Sequence, residues 1–518
     1  MNDRISLKQA AIPVFGADAL TIEDVCRIAR GASARLHDSP DYRAHIERGA
    51  AFIERLLASE GEIYGVTTGY GDSCSVGVAQ QLARELPIHL MRFHGCGLGN
   101  HFTPEQTRAV LAARLASLVR GYSGVRWVLL ERIAALLNHD LPPLMPAEGS
   151  VGASGDLTPL SYLAAVLMGE REVWKDGQPE ASAVALAAAG IEPITLAPKE
   201  ALAIMNGTAA MTGLACLAFE RAEYLSRLAT RISAMTSIAT RGNPGHFDPA
   251  LFGVKPHAGQ NEVADWIWTD LGRLHDGPQM RLQDRYSIRC APHVIGVLRD
   301  ALPWMRRDIE NELNSSNDNP IIDAVGERVL HGGHFYGGHI AFAMDALKNA
   351  VASIADLLDR QLALLVDTRY NHGLPKNLSG AEGLRGAINH GFKAVQIGTS
   401  SWTAEALKLT MPASSFSRST ECHNQDKVSM GTIAARDCLR VVELTEQVTA
   451  ALLLAVTQGV TLRSRQGELD EATLTAPLRG FRDDIAKLSA FVTEDRPLEP
   501  DLRQILVHIR ARRWELYS

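Results

Sequence analysis

Ala153-Ser154-Gly155 is a tripeptide whose backbone can condense on itself. Glycine at the third position lets its amide nitrogen approach the alanine carbonyl carbon, because no Cβ blocks the strained conformation. Serine in the middle can lose water, and the product is a conjugated imidazolone bearing an exocyclic methylene. Such a ring is an electrophile that no ordinary side chain supplies. Gly149-Ser150-Val151-Gly152 suits a tight loop, and Asp156-Leu157-Thr158-Pro159 reads as the turn into a helix from Leu160. A serine-hydrolase elbow does not fit, since Gly-x-Ser-x-Gly would need glycine where Asp156 stands. Ala-Ser-Gly alone is more often a linker than a cofactor, so the reading depends on distant residues.

Those residues are present. Tyr64-Gly65-Val66-Thr67-Thr68-Gly69-Tyr70-Gly71, Lys199-Glu200-Ala201-Leu202-Ala203-Ile204-Met205-Asn206-Gly207-Thr208 and Gln283-Asp284-Arg285-Tyr286-Ser287-Ile288-Arg289-Cys290 follow one another along the chain. Asn317-Asp318-Asn319-Pro320, His331-Gly332-Gly333-His334-Phe335, Asn424-Gln425-Asp426-Lys427-Val428-Ser429-Met430-Gly431 and Glu494-Asp495-Arg496-Pro497-Leu498 complete the set. In these motifs and their order, over nearly its whole length, the chain resembles the histidine/phenylalanine/tyrosine ammonia-lyase family. The prosthetic group of that family, 4-methylidene-imidazole-5-one, is built from Ala-Ser-Gly.

The resemblance implies a carbon–nitrogen lyase that eliminates ammonia non-oxidatively from an aromatic L-amino acid to give an aryl acrylate. Such an amine leaves poorly and the β-hydrogen is barely acidic. The reaction therefore needs an electron sink, a base for the β-proton and a cation near the carboxylate. By resemblance Tyr64 is the base, although a phenol titrating near pH ~10 needs a cationic or polar environment for that task. Arg289 matches the carboxylate-binding arginine, whose planar fork suits two oxygens. Asn206 and Tyr286 match residues bonded to the ring or the substrate. Gln283 matches a polar neighbour, Phe335 an aromatic beside the ring, and Asp156 a support for cyclisation. Tyr70 stands where the family often carries Phe and is expected to alter packing only.

Substrate choice in the family turns on the pair before Gly95-Cys96-Gly97-Leu98-Gly99, here Phe93 and His94. His94 and Glu405 match a histidine and a pocket glutamate of histidine ammonia-lyases. Together they can bind an imidazole, and they can equally hydrogen-bond a phenol. Arg285 within Gln-Asp-Arg-Tyr, His293, Phe93 and Thr420-Glu421-Cys422-His423 depart from the histidine pattern. The expected order is tyrosine (to 4-coumarate), then histidine (to urocanate), then phenylalanine, because an unpaired buried His and Glu would cost energy. An aromatic aminomutase would use the same ring and return ammonia to the β-carbon. A non-catalytic helical scaffold would not require Ser154, Tyr64, Asn206 and Arg289 together. The Gly-Ser-Ser-x-Met-Pro loop of fumarase-type lyases is absent.

The bulk composition points to no other chemistry. Across 518 residues the net charge of −7 is mild, and no basic stripe signals nucleic acid; Arg510, Arg512 and Arg513 read as a solvated face. Seven cysteines without CxxC spacing signal neither a disulfide framework nor zinc. His331, His334 and His339 lie between glycines without one-face spacing, so loop packing is expected rather than a metal; no nucleotide loop is evident. Met1-Asn2-Asp3-Arg4 lacks an export pattern, and the expectation is a cytoplasmic protein. Uncharged Ala201–Phe219 is about as long as a membrane span but contains Asn206, Gly207, Thr208 and Thr212, so a buried helix is expected there.

The elements that must carry these residues are mostly helices. Apolar residues recur at three- and four-residue steps from Pro104 to Leu137 (interrupted near Gly121–Gly124), from Ile340 to Val366 and from Thr432 to Val460. Strand signals are short, near Val173-Trp174 and Val329-Leu330. Leu141–Gly155, Arg241–Gln260 and Leu374–Gly383 read as ordered loops. The expected fold is mainly α: a long-helix bundle with a loop-rich N-terminal domain carrying the prosthetic group. The expected parts are 1–210, a central bundle 211–465 and a C-terminal helical part 466–518. Homotetramers with active sites shared between subunits are implied by the resemblance alone.

Overall fold

A computed structural model describes residues 13–59, 62–272, 274 and 281–517. Met1–Arg4, read above for an export pattern, lies outside these residues. The protein is mostly helical, and the periodic stretches become long helices: Pro104–Leu118, Trp127–Asn138, Gly338–Val366 and Gly431–Arg465. Pro104 occupies the first turn of its helix, and Thr103 and Gln106 close a reciprocal capping box before it. Strands are confined to two-stranded pieces. Among the described residues no helix is long and apolar enough to cross a membrane.

The uncharged stretch departs from expectation. It is two helices, Glu200–Met205 and Ala209–Ala239, broken at Asn206-Gly207-Thr208. Asn206 is extended and Gly207 has φ +142°. That break exposes backbone groups that a continuous helix would have consumed.

Two compact units emerge, each from separate segments. The first comprises Met1–Glu220, Met305–Asp345 and Pro412–Arg436; the second comprises Arg221–Trp304, Ala346–Met411 and Asp437–Ser518. The parts expected from the sequence run consecutively along the chain, whereas these units interleave.

Within the first unit, a short antiparallel pair joins Leu98–His101 to Pro146–Glu148, with Leu98 opposite Glu148. This pairing draws the loop after His94 toward the loop that carries Ala153-Ser154-Gly155. A small apolar cluster of Phe52, Ile53, Leu57, Ile63, Val66 and Ile322 anchors the Tyr64 segment. Fully burying each such side chain stabilises the fold by about 1.5–3 kcal/mol.

Candidate active site

Ser154 and Gly155 have φ +48° and +82°. The left-handed region costs a non-glycine residue roughly 1–2 kcal/mol, so the surroundings must hold Ser154 there. They do so through the break after Met205. Gly207 N donates to Ser154 O at 3.0 Å and Asp156 N donates to Gly207 O at 2.8 Å, clasping Gly155 between them. A Cβ on Gly155 would collide with the Gly207 carbonyl, and one on Gly207 would meet Arg114 and Asn317. Buried Arg114 braces this strand, donating to Asn206 O at 2.9 Å. The helix expected from Leu160 begins at Leu157, directly after the clasp.

Asp156 is fully buried below the loop. Its carboxylate accepts from Met211 N at 2.9 Å, from the Thr432 hydroxyl and from Ser150 Oγ at 3.4 Å. Burial pushes its pKa up to about 6 despite these donors. Asn206 is also buried, and its Nδ2 donates to Asn319 O at 2.6 Å and to Asp318 Oδ1 at 3.3 Å. Lys199 reaches Asp318 Oδ2 at 2.5 Å, both fully buried. Burial pulls the Lys199 ammonium below its ordinary value, with Asp318 opposing.

Above the loop lies a cleft of about 1180 Å³, lined by residues of the first unit including Tyr64, Phe93, His94, Ser154, Asn206 and Phe335. Ala153 also lines it. The Tyr64 hydroxyl accepts from Gly71 N at 2.7 Å, which favours phenolate, and Gly71 needs its φ of +59° to turn there. Burial nevertheless pushes the phenol above its ordinary value, and nearby Glu421 and Cys74 add to the rise. The polar environment expected for this base is present, yet burial outweighs it. His94 Nδ1 donates to Leu90 O at 3.0 Å; because a carbonyl only accepts, Nε2 is left as the acceptor. Burial lowers the His94 pKa and keeps the imidazole neutral. Tyr70 packs its ring against Gly65 and also lines the cleft.

Among the cleft residues not expected at the site are His331 and Glu421. His331, read as loop packing, lines the cleft and meets the Tyr64 ring edge-on at 6.4 Å. Glu421 also lines it, and its carboxylate accepts from Asp72 N at 2.8 Å. Glu421, Cys422 and His423 are consecutive left-handed residues, with φ +51°, +53° and +68°. Among the described residues no three His, Cys, Asp or Glu side chains are grouped to hold a metal.

A family model described as aromatic amino acid lyase matches residues 20–482. The chain belongs to the aromatic amino acid lyase family. It is 38% identical to a histidine ammonia-lyase of Gloeobacter violaceus over 502 residues, 95% of either chain. Among solved structures it is similar to tyrosine aminomutase from Streptomyces globisporus (TM-score 0.88, 32% identity, 97% of either chain). It is also similar to histidine ammonia-lyase from Trypanosoma cruzi (TM-score 0.85, 30% identity, 96% of this chain and 93% of that one).

The remaining expected site residues of this aromatic amino acid lyase belong to the second unit. Tyr286 opens the one-turn helix Tyr286–Arg289 and is 72% exposed. Arg289 lies over the Tyr286 ring at 4.8 Å, donates to Asp284 O at 2.9 Å and to Gln283 Oε1 at 3.3 Å. These three form one group. Glu405 does not face a substrate pocket within its unit: it pairs with Arg440 at 2.8 Å on an exposed surface. The carboxylates on the cleft are those of Glu62, Glu421 and Asp426.

Proposed function

We propose that this lyase removes ammonia from L-histidine, breaking the Cα–N bond and one Cβ–H bond and forming the double bond of urocanate. The carrying observation is the 38% identity, across 95% of both chains, to a protein named histidine ammonia-lyase; identity to the tyrosine aminomutase is 32%. In the cleft, neutral His94 with Nε2 as acceptor complements an imidazole N–H. The expected order of tyrosine before histidine is therefore reversed. It leaned on Arg285 and His293, which belong to the second unit: Arg285 stacks on Tyr370 at 4.1 Å, and His293 tilts against Phe252 at 5.3 Å. Phe93, at the cleft, is largely exposed and packs its ring on His94 at 4.3 Å.

The residues present fit the imidazolone. The clasp on Gly207 leaves no room for a side chain on Gly155. Gly207 and Asp156 would hold the group, which would supply an electrophilic carbon and an electron sink. Tyr64 takes the β-proton, with Gly71 N holding the proton-accepting oxygen. Arg289 binds the substrate carboxylate, and Tyr286 and Gln283 accompany it. The exposed state of this group supports a homotetramer in which it completes the cleft of another copy.

A second reading is an aromatic aminomutase, favoured by similarity to solved tyrosine and phenylalanine aminomutases at 32% identity. One assay separates the readings. Turnover of L-histidine, L-tyrosine and L-phenylalanine is followed separately, with Ser154→Ala as blank and chiral separation of the products. Urocanate from histidine alone supports the proposal; coumarate, cinnamate or a β-amino acid replaces it.

A further inference from the structure

A hydrogen-bond chain leads to the Gly207 clasp, and all of its members belong to the first unit. It starts at Glu312 in the last turn of the helix Ala291–Leu313, where a carboxylate gains nothing from the helix dipole. The Thr208 hydroxyl donates to Glu312 Oε1 at 2.5 Å and accepts from Asn317 Nδ2 at 2.8 Å. Asn317 Oδ1 then accepts from Ser117 Oγ at 3.1 Å and from Arg114 at 3.4 Å. Arg114 in turn donates to Asn206 O, one residue before the clasp. Thr208, Asn317, Ser117 and Arg114 are all buried.

The direction of the chain is set at its acidic end. A carboxylate only accepts, so the Thr208 hydroxyl must donate to it and can offer Asn317 only a lone pair. That fixes the amide, with Nδ2 toward Thr208 and Oδ1 toward Arg114 and Ser117. Reversed, it would set an NH2 group against the Arg114 guanidinium, donor against donor. Arg114 and Asn317 fill the space that a Cβ on Gly207 would need, so a shift of either is felt at the clasp. Neither Glu312 nor Thr208 lines the cleft.

We propose that Glu312 and Thr208 are positioning residues for closure of the ring: by fixing the direction of this chain they hold the Gly207 strand where it bends Ala153-Ser154-Gly155 back on itself. The inference rests on the imidazolone reading. In the closure the Gly155 nitrogen bonds to the Ala153 carbonyl carbon. That carbonyl oxygen leaves as water with the amide hydrogens of Ser154 and Gly155. Ser154 then loses its Cα hydrogen and its hydroxyl as a second water, leaving a double bond from Cα to Cβ. Two waters depart, and no oxidant or reductant is consumed. Ser154 O and Asp156 N, the two groups that Gly207 holds, flank Gly155 on either side. Their position therefore decides how near the Gly155 nitrogen comes to the Ala153 carbonyl.

The test follows water loss by intact mass, in full-length chain made by cell-free synthesis and quenched at intervals. Thr208→Val keeps the shape and removes the hydroxyl; loss of this charge-assisted link should slow the water loss about tenfold. Thr208→Ser keeps the hydroxyl and should lose both waters at the unaltered rate. Both variants are first shown to be folded by urea unfolding. A valine variant that matures at the unaltered rate, or a serine variant as slow as the valine one, overturns the proposal. Should Thr208→Val not fold, Glu312→Gln and Glu312→Leu are held to the same contrast, since the amide oxygen still accepts from Thr208 and leucine does not. If the unaltered chain keeps both waters, the imidazolone reading itself fails, and the inference with it.

Discussion

The floor of the cleft and the Gln283–Tyr286–Arg289 group are both dense in polar side chains, but they differ in where their partners are. On the floor, Asp156, Asn206, Lys199 and Asp318 are buried and bonded to backbone of their own unit. Tyr286 stands in solvent and Arg289 is half-buried, its side chain bonded to neighbours a few residues away. The first region is organised before any ligand arrives. The second lies in the other unit and, on the proposed reading, serves the cleft of another copy.

The contrast can be broken at several points. Ser154→Ala should lower turnover to background while the folded subunit keeps the mass of the two waters; near-full turnover would end the prosthetic-group account. Arg289→Ala should cost about 10²-fold in kcat/KM, as expected for a charged partner of the substrate carboxylate. Mixing refolded or co-expressed Ser154→Ala and Arg289→Ala subunits should restore measurable activity, since hybrids contain clefts with both groups intact. No recovery would mean that the exposed group completes no other copy's cleft.

Asp156 tests the floor through stability. Its folded pKa, about 6, lies above its ordinary value of 3.8. The folded chain therefore holds the proton more tightly, and this contribution is full below about pH 4 and is lost as pH rises to 6. Asp156→Asn should remove a slope worth up to about 3 kcal/mol, measured by urea unfolding across that interval. Glu421→Gln keeps an acceptor for Asp72 N but takes a negative charge away from Tyr64. The phenol should then ionise more readily, and the rising limb of kcat/KM should move to lower pH by up to about one unit. An unmoved limb would separate Tyr64 from that limb. Glu405→Gln should be the smallest change, below about 1 kcal/mol in stability and within twofold in turnover, because its pair with Arg440 is exposed.

Periodicity carried the helices well, since Gly338–Val366 and Gly431–Arg465 bury stripes that recur at the helical repeat. It failed at Asn206-Gly207, where an apolar run concealed a break needed by residues far earlier in the chain. Tyr64, His94, Ser154, Asn206 and Phe335 meet on one cleft, as their motifs implied. Glu421 on the cleft was not read from the sequence. The left-handed run Glu421–His423 turns the chain back on itself, and no repeat in the sequence announces such a turn. The Lys199–Asp318 pair was hidden for a different reason: the sequence prints two opposite charges, and only the fold says that both are dry.

The bond from Thr432 to Asp156 spans 276 positions. At ~5–20 residues per second of synthesis, the hydroxyl reaches the ribosome's exit roughly 15–55 s after the carboxylate it serves. The Ala153–Gly155 loop and most of its bracing, Arg114, Gly207 and Met211, are thus made well before Thr432. The last donor to Asp156 is therefore added to a loop whose other contacts are already in the chain.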